Sequence, residues 1–125
     1  MNAERNPVGW FEIYVQDMER ARAFYERTLD VTLEELPSPT VKMVAFPMQP
    51  ELPGACGALV QYEGKDSGAG GTLIYFSCED CAVEASRAVA NGGQIVKEKF
   101  SIGPYGFISL VFDTEKNMIG LHSMK

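Results

Sequence analysis

Few residues in this 125-residue chain could do acid–base chemistry. There is one histidine, His122, and three cysteines, Cys56, Cys78 and Cys81. Glu12 is the carboxylate of most interest, because it stands between Trp10 and Tyr14 in a stretch that alternates as a strand does. Alternation places Trp10, Glu12 and Tyr14 on one face and Phe11, Ile13 and Val15 on the other. A carboxylate on an aromatic wall can take up a proton as a general base, or bind a ligand cation or amide. It can equally meet an internal Lys or Tyr, or sit at a wet mouth. His122 can act as acid or base near neutral pH, or simply hydrogen-bond within a strand. Cys78-Glu79-Asp80-Cys81 is a C-x-x-C at a strand-to-helix junction, where thiols become reactive.

These residues are positioned by a repeat. An offset of 63 residues carries Trp10–Asp17 onto Leu73–Asp80. Both copies are short apolar strands ending in an Asp placed to cap a helix. The first copy has Val15 and Met18 where the second has Cys78 and Cys81, so the cysteines read as core fillers rather than a redox pair. Strands are expected near Val8–Val15, Thr32–Leu36, Val41–Phe46 and Gly54–Tyr62, with a helix from the Asp17 cap to Asp30. In the second half they are expected near Thr72–Cys78, Gln94–Lys99, Phe107–Phe112 and Met118–Met124. The second helix runs from the Asp80 cap to Ala90, with Ala82, Val83, Ser86, Val89 and Ala90 inward. Between the halves, Glu63–Gly71 is rich in glycine and reads as a flexible linker. Each half is β-α-β-β-β: module one spans about 7–62, the linker 63–71 and module two 72–124, within a single domain 1–125. In Asp113–Asn117, Lys116 or Asn117 must adopt the turn's special backbone angle, which Asn tolerates better.

The fold class is therefore α+β. Two tandem βαβββ modules should form a curved eight-stranded mixed sheet, a cup, with helices outside. The net charge of −6 argues against nucleic acid or an anionic membrane as the main partner. No apolar run approaches the ~20 residues of a membrane span. The odd cysteine count and polar N-terminus point to the cytoplasm.

Several motifs together carry a family resemblance. They are Val15-Gln16-Asp17-Met18-Glu19-Arg20-Ala21 with Phe24-Tyr25, then Asn91-Gly92-Gly93, Phe112-Asp113-Thr114-Glu115, and Asn117 through Ser123. In order and spacing the chain resembles the vicinal oxygen chelate superfamily, the glyoxalase/bleomycin-resistance/dioxygenase group. That resemblance implies paired βαβββ modules, a homodimer, and in enzymatic members a divalent metal held by His and Glu on the first and last strands of each module. The corresponding positions here are Trp10, Leu73, Gly120 and, by the 63-residue offset, Gly57. None supplies a side-chain ligand, so no metal and no other cofactor is expected. The cup is then expected to hold a small aromatic or amphipathic molecule against Trp10, Glu12, Tyr14, Leu73, Tyr75, Gly120 and His122, with the glycines leaving space. Tyr105, between Gly103-Pro104 and Gly106, would serve as a lid. The alternative is a lyase-, isomerase- or dioxygenase-type enzyme using Glu12 and His122 with an atypical metal or none.

Overall fold

A computed structural model describes residues 8, 10–49 and 51–125; the residue-7 start given to module one lies outside this range. Strand β1 (Trp10–Tyr14) leads into helix α1 (Met18–Leu29), followed by β2 (Glu34–Glu35), β3 (Lys42–Ala45) and β4 (Cys56–Gln61). The second half repeats the order: β5 (Ile74–Ser77), α2 (Cys81–Ala90), β6 (Gln94–Ser101), a 3-10 turn at Gly103–Tyr105, β7 (Phe107–Phe112) and β8 (Met118–Ser123). No helix among the described residues is long and apolar enough to cross a membrane.

The eight strands divide into two four-stranded mixed sheets, ordered β1-β4-β3-β2 and β5-β8-β7-β6. In each, the first and last strands of the module pair in parallel and the rest are antiparallel. The paired-module fold expected from sequence is present, but the single eight-stranded sheet is not closed. β1 and β5 are both edge strands, and no ladder joins them. Side chains hold the modules together instead. The Phe11 and Phe76 rings meet edge-on at 6.2 Å, and the Asn117 amide donates to the Tyr14 carbonyl at 2.9 Å.

Both helices cover the same faces of the sheets and touch each other. Each cap is an Asp, as its residue type predicts: Asp17 accepts from the Arg20 N–H at 3.2 Å and Asp80 from the Ala82 N–H at 3.1 Å. Helix α1 ends at Asp30 in the left-handed conformation. Its buried stripe is Met18, Ala21, Phe24, Tyr25 and Thr28, at the spacing of one helical face. These side chains share one core with Ile13, Val15, Val44, Phe46 and Leu59 of the first module and Cys81, Ala85, Val111, Ile119 and Leu121 of the second. Burial of each large aliphatic or aromatic side chain here contributes about 1.5–3 kcal/mol. The face assigned to α2 from sequence is corrected. Cys81, Ala85 and Ala88 point inward, whereas Ala82, Val83, Ser86, Val89 and Ala90 are exposed. Small residues allow α2 to approach α1 and the sheet closely, and that proximity outweighs the greater apolar area of the two valines.

Candidate functional site

The outer, helix-free face of β1 carries Trp10, Glu12 and Tyr14, as alternation requires, while Ile13 and Val15 are buried in the core. The Glu12 carboxylate is exposed. Trp10 Nε1 donates to its Oε2 at 3.2 Å, and the Tyr14 hydroxyl lies at a long 3.5 Å from Oε1. Trp10 itself is 40% exposed. A cleft of about 530 Å³ opens between the edges β1 and β5, at the carboxyl end of one and the amino end of the other. Glu12, Tyr14 and Leu73 line it together with Met118, and the loop backbone from Gly68 to Gly71 forms its rim. The remaining candidates, Trp10, Tyr75, Gly120, His122 and Tyr105, are not among its lining residues.

On the second sheet, Tyr75 pairs with Gly120 and Ser77 with His122. Tyr75 is 48% exposed, and its ring lies over Gly120: a Cβ there would stand 2.3 Å from Tyr75 Cδ1. The space at Gly120 is therefore filled by this chain's own tyrosine rather than left for a ligand. Gly57 is likewise covered, by the Phe11 ring, and on the opposite, core-facing side. Register explains the difference. Glu12 pairs with Ala58, and its counterpart Tyr75 pairs with Gly120, so the mate of Gly120 is Ala58 and not Gly57. The connections between the elements differ in length in the two modules, so the offset of 63 at β1 and β5 has become 62 at β4 and β8.

His122 Nε2 donates to the Tyr105 carbonyl at 2.6 Å. A donor at Nε2 leaves Nδ1 as the free ring nitrogen of the neutral form. The bond ties the Gly103–Tyr105 turn to β8. Tyr105 stands at the tip of this turn, 73% exposed. Neither cysteine of the C-x-x-C is poised for reaction. Cys81 is fully buried, and burial, followed by the neighbouring Glu84 carboxylate, pushes the Cys78 thiol up to about 12.

One polar cluster escaped the sequence reading. The side chain of Glu115 is fully buried in the β7–β8 turn and reaches the β1–α1 junction of the other module. It accepts from the Gln16 and Asp17 N–H groups at 2.9 Å, from the Thr114 hydroxyl at 2.8 Å, and from Arg20 at 2.7 and 3.0 Å. Burial alone would raise this carboxyl. The Arg20 guanidinium, the Asp17 N–H, the Thr114 hydroxyl and the Gln16 N–H outweigh it and hold the group at about 2. Asp113 beside it accepts from the buried Tyr25 hydroxyl at 2.6 Å and from the Glu115 and Asn117 N–H groups at 2.8 Å. Burial dominates at Asp113 and raises its carboxyl, and burial together with Asp113 pushes the Tyr25 phenol well up. Lys116, not Asn117, takes the left-handed angle of this turn, with φ 69°. Asn117 is committed to side-chain work: it donates to Tyr14 O and Asp113, and accepts from the Gly68 N–H at 2.8 Å. The acidic, amide-containing turn was visible in sequence, but not its partner 95 residues away.

The sequence model of the Glyoxalase/Bleomycin resistance protein/Dioxygenase superfamily matches residues 8–121. The chain belongs to this superfamily. No curated protein matches its sequence. Solved structures of other superfamily proteins share its architecture. A glyoxalase-related enzyme from Fulvimarina pelagi is 16% identical, with 95% of this chain and 88% of that one aligned at a TM-score of 0.72. The trypanothione-dependent glyoxalase I of Leishmania major is 20% identical over 96% and 88%, with a TM-score of 0.71. Glyoxalase I from Zea mays is 19% identical over 94% of this chain, with a TM-score of 0.75, and this chain spans 46% of its length. At these identities the likeness establishes the fold alone.

A divalent metal held as in enzymatic superfamily members does not fit this chain. The four positions that the resemblance implies are Trp10, Leu73, Gly120 and, by the β1–β4 and β5–β8 registers, Ala58. An indole, two aliphatic groups and a hydrogen offer no donor to a borderline or hard cation. Among the described residues no group of three or more His, Cys, Asp or Glu side chains converges elsewhere.

Proposed function

We propose that this superfamily member binds a small aromatic or amphipathic molecule without a metal, in the cytoplasm and as a homodimer. The observation that carries the reading is an aromatic, carboxylate-bearing strand face that opens into a cleft, and the absence of side-chain donors at Trp10, Ala58, Leu73 and Gly120, the positions where the resemblance implies metal ligands, supports it. Apolar walls with a few polar groups are the usual form of a small-molecule site. The outer edge strands β2 and β6 and the helix-free sheet faces support assembly with a second copy. The odd cysteine count supports a reducing compartment. An enzymatic alternative would need Glu12 and His122 on one ligand. The cleft holding Glu12 does not include His122, whose Nε2 is engaged by Tyr105.

A thermal-shift screen with aromatic cations, neutral aromatics and aromatic anions tests this reading. At least one class should raise the melting temperature, since a ligand selective for the native state at 100 times its Kd stabilises by about 2.7 kcal/mol. No response from any class would reject it. Metal analysis of protein purified without chelator should find less than stoichiometric metal. Stoichiometric metal that is lost in Glu12→Ala or His122→Ala would also reject it.

A further inference from the structure

The cleft between β1 and β5 combines an apolar floor with charge of one sign. Leu73, Ile74 and Met118 supply the accessible apolar surface, with the core residues Ile13 and Ile119 behind them. The charged side chains lining it are Glu12 and Asp66, and there is no Lys, Arg or His among its described lining residues. Neither carboxylate is in an ion pair among the described residues. Glu12 is steadied only by neutral donors, the indole N–H and the Tyr14 hydroxyl, which orient its charge without cancelling it. Tyr14 lines the same cleft, and an aromatic ring beside a carboxylate attracts cations.

A second, more open groove of about 670 Å³ provides a contrast. It shares Asp66 and adds Glu63, but Lys42 and Lys65 balance them. Of these two, the β1–β5 cleft is the one whose described lining pairs unopposed negative charge with apolar walls. A divalent metal requires several oxygen ligands at close range and gains nothing from a floor of Ile, Leu and Met. An organic cation with an apolar body satisfies both halves of the site.

We propose that the β1–β5 cleft binds an amphipathic organic cation, with its ammonium or amidinium group at Glu12 and its apolar body on Leu73, Ile74 and Met118. This proposal rests on the small-molecule reading above and specifies the ligand class. Binding is selective by charge: an anion of the same size meets Glu12 and Asp66 with no compensating base.

The experiment titrates the full chain with benzyltrimethylammonium, benzyl alcohol and phenylacetate at low salt. It follows the fluorescence of Trp10, the chain's one tryptophan, with calorimetry as an independent readout. Benzyltrimethylammonium should bind saturably, phenylacetate should not, and benzyl alcohol should bind about tenfold more weakly than the cation. Glu12→Gln should weaken the cation by about tenfold without changing the melting temperature. Lys65→Gln, in the neighbouring groove, should leave it unchanged. Equal affinity for phenylacetate, or wild-type affinity in Glu12→Gln, overturns the proposal. If benzyl alcohol or phenylacetate binds and the cation does not, the cation site falls while the small-molecule reading stands. If none of the three binds and the thermal-shift screen is also silent, both fall.

Discussion

The two strand-to-helix junctions began from one pattern and are held in different ways. Both have an Asp cap, and in both the helix's first N–H is met by a side chain of its own module: Gln61 accepts from the Met18 N–H at 2.9 Å, and Ser123 from the Cys81 N–H at 3.0 Å. There the likeness ends. At Val15–Met18 the other module supplies Glu115, a buried carboxylate that satisfies two further backbone donors and Arg20. At Cys78–Cys81 the extra charge is at the surface. Lys99 meets Asp80 at 2.8 Å, and Lys125 meets Glu79 at 3.3 Å between two exposed side chains. A buried acceptor serving several donors matters far more to stability than exposed ion pairs. The first junction is thus an attachment between modules, and the second is a local helix start.

Substitutions at the two ends of this contrast should separate widely. Glu115→Ala orphans two backbone N–H groups and strands the Arg20 partner, and should cost roughly 3 kcal/mol in urea unfolding. A loss below about 1 kcal/mol, the scale of a surface pair, would erase the contrast. Acid should expose the same asymmetry. The folded Glu115 carboxyl lies at about 2, below its ordinary value of 4.5. Its contribution is therefore complete above about 4.5 and is lost as pH falls toward 2. Asp113 acts in the opposite sense, because burial raises it and its protonation relieves a cost. Wild type should lose stability across that interval more steeply than Glu115→Gln, as read from urea midpoints at each pH. Parallel profiles would remove Glu115 from the account. Among the caps, Asp17→Ala should cost about 1 kcal/mol. Asp80→Ala should have the smaller effect, since Lys99, the main cause of the lowered Asp80 carboxyl, loses only an exposed partner. Reversal of that order in thermal melts would show that the surface junction is the stronger. The smallest change is expected at Cys78. With its thiol near 12, alkylation by iodoacetamide at pH 8 should be far slower in native than in unfolded protein. Peptide mapping that finds Cys78 modified at the rate of an unfolded thiol would contradict its burial.

What the sequence made legible was local. Alternation in Trp10–Val15 separated the outer face from the core face correctly, and the Asp caps and the order of strands follow from turn and cap chemistry. What it hid was tertiary. The inward face of α2 is Cys81, Ala85 and Ala88 rather than the expected set from Ala82 to Ala90, because the position of neighbouring elements, which a short helix's own pattern does not reveal, selects the face. The match of Gly57 with Gly120 failed because a repeat offset cannot register a loop of altered length, whereas the strand ladders do. Of Lys116 and Asn117, propensity favours Asn117 for the special backbone angle, but Lys116 takes it and the Asn117 side chain is used for hydrogen bonds. The Glu12 cleft depends on β1 and β5 coming together, so no single stretch of chain could announce it.

The glycine-rich segment between the modules carries one more lesson. Composition alone would make it a loose tether. In the folded chain Ser67 Oγ donates to the Glu115 carbonyl at 2.5 Å, the Gly68 N–H to Asn117, and the Gln16 amide to the Lys65 carbonyl at 3.0 Å. A tether bonded to the elements it joins has less freedom than its composition suggests. Moving one module away from the other would require releasing Gln16, Glu115 and Asn117 together. The segment that separates the duplicated halves in sequence is thus one of the things that fasten them in space.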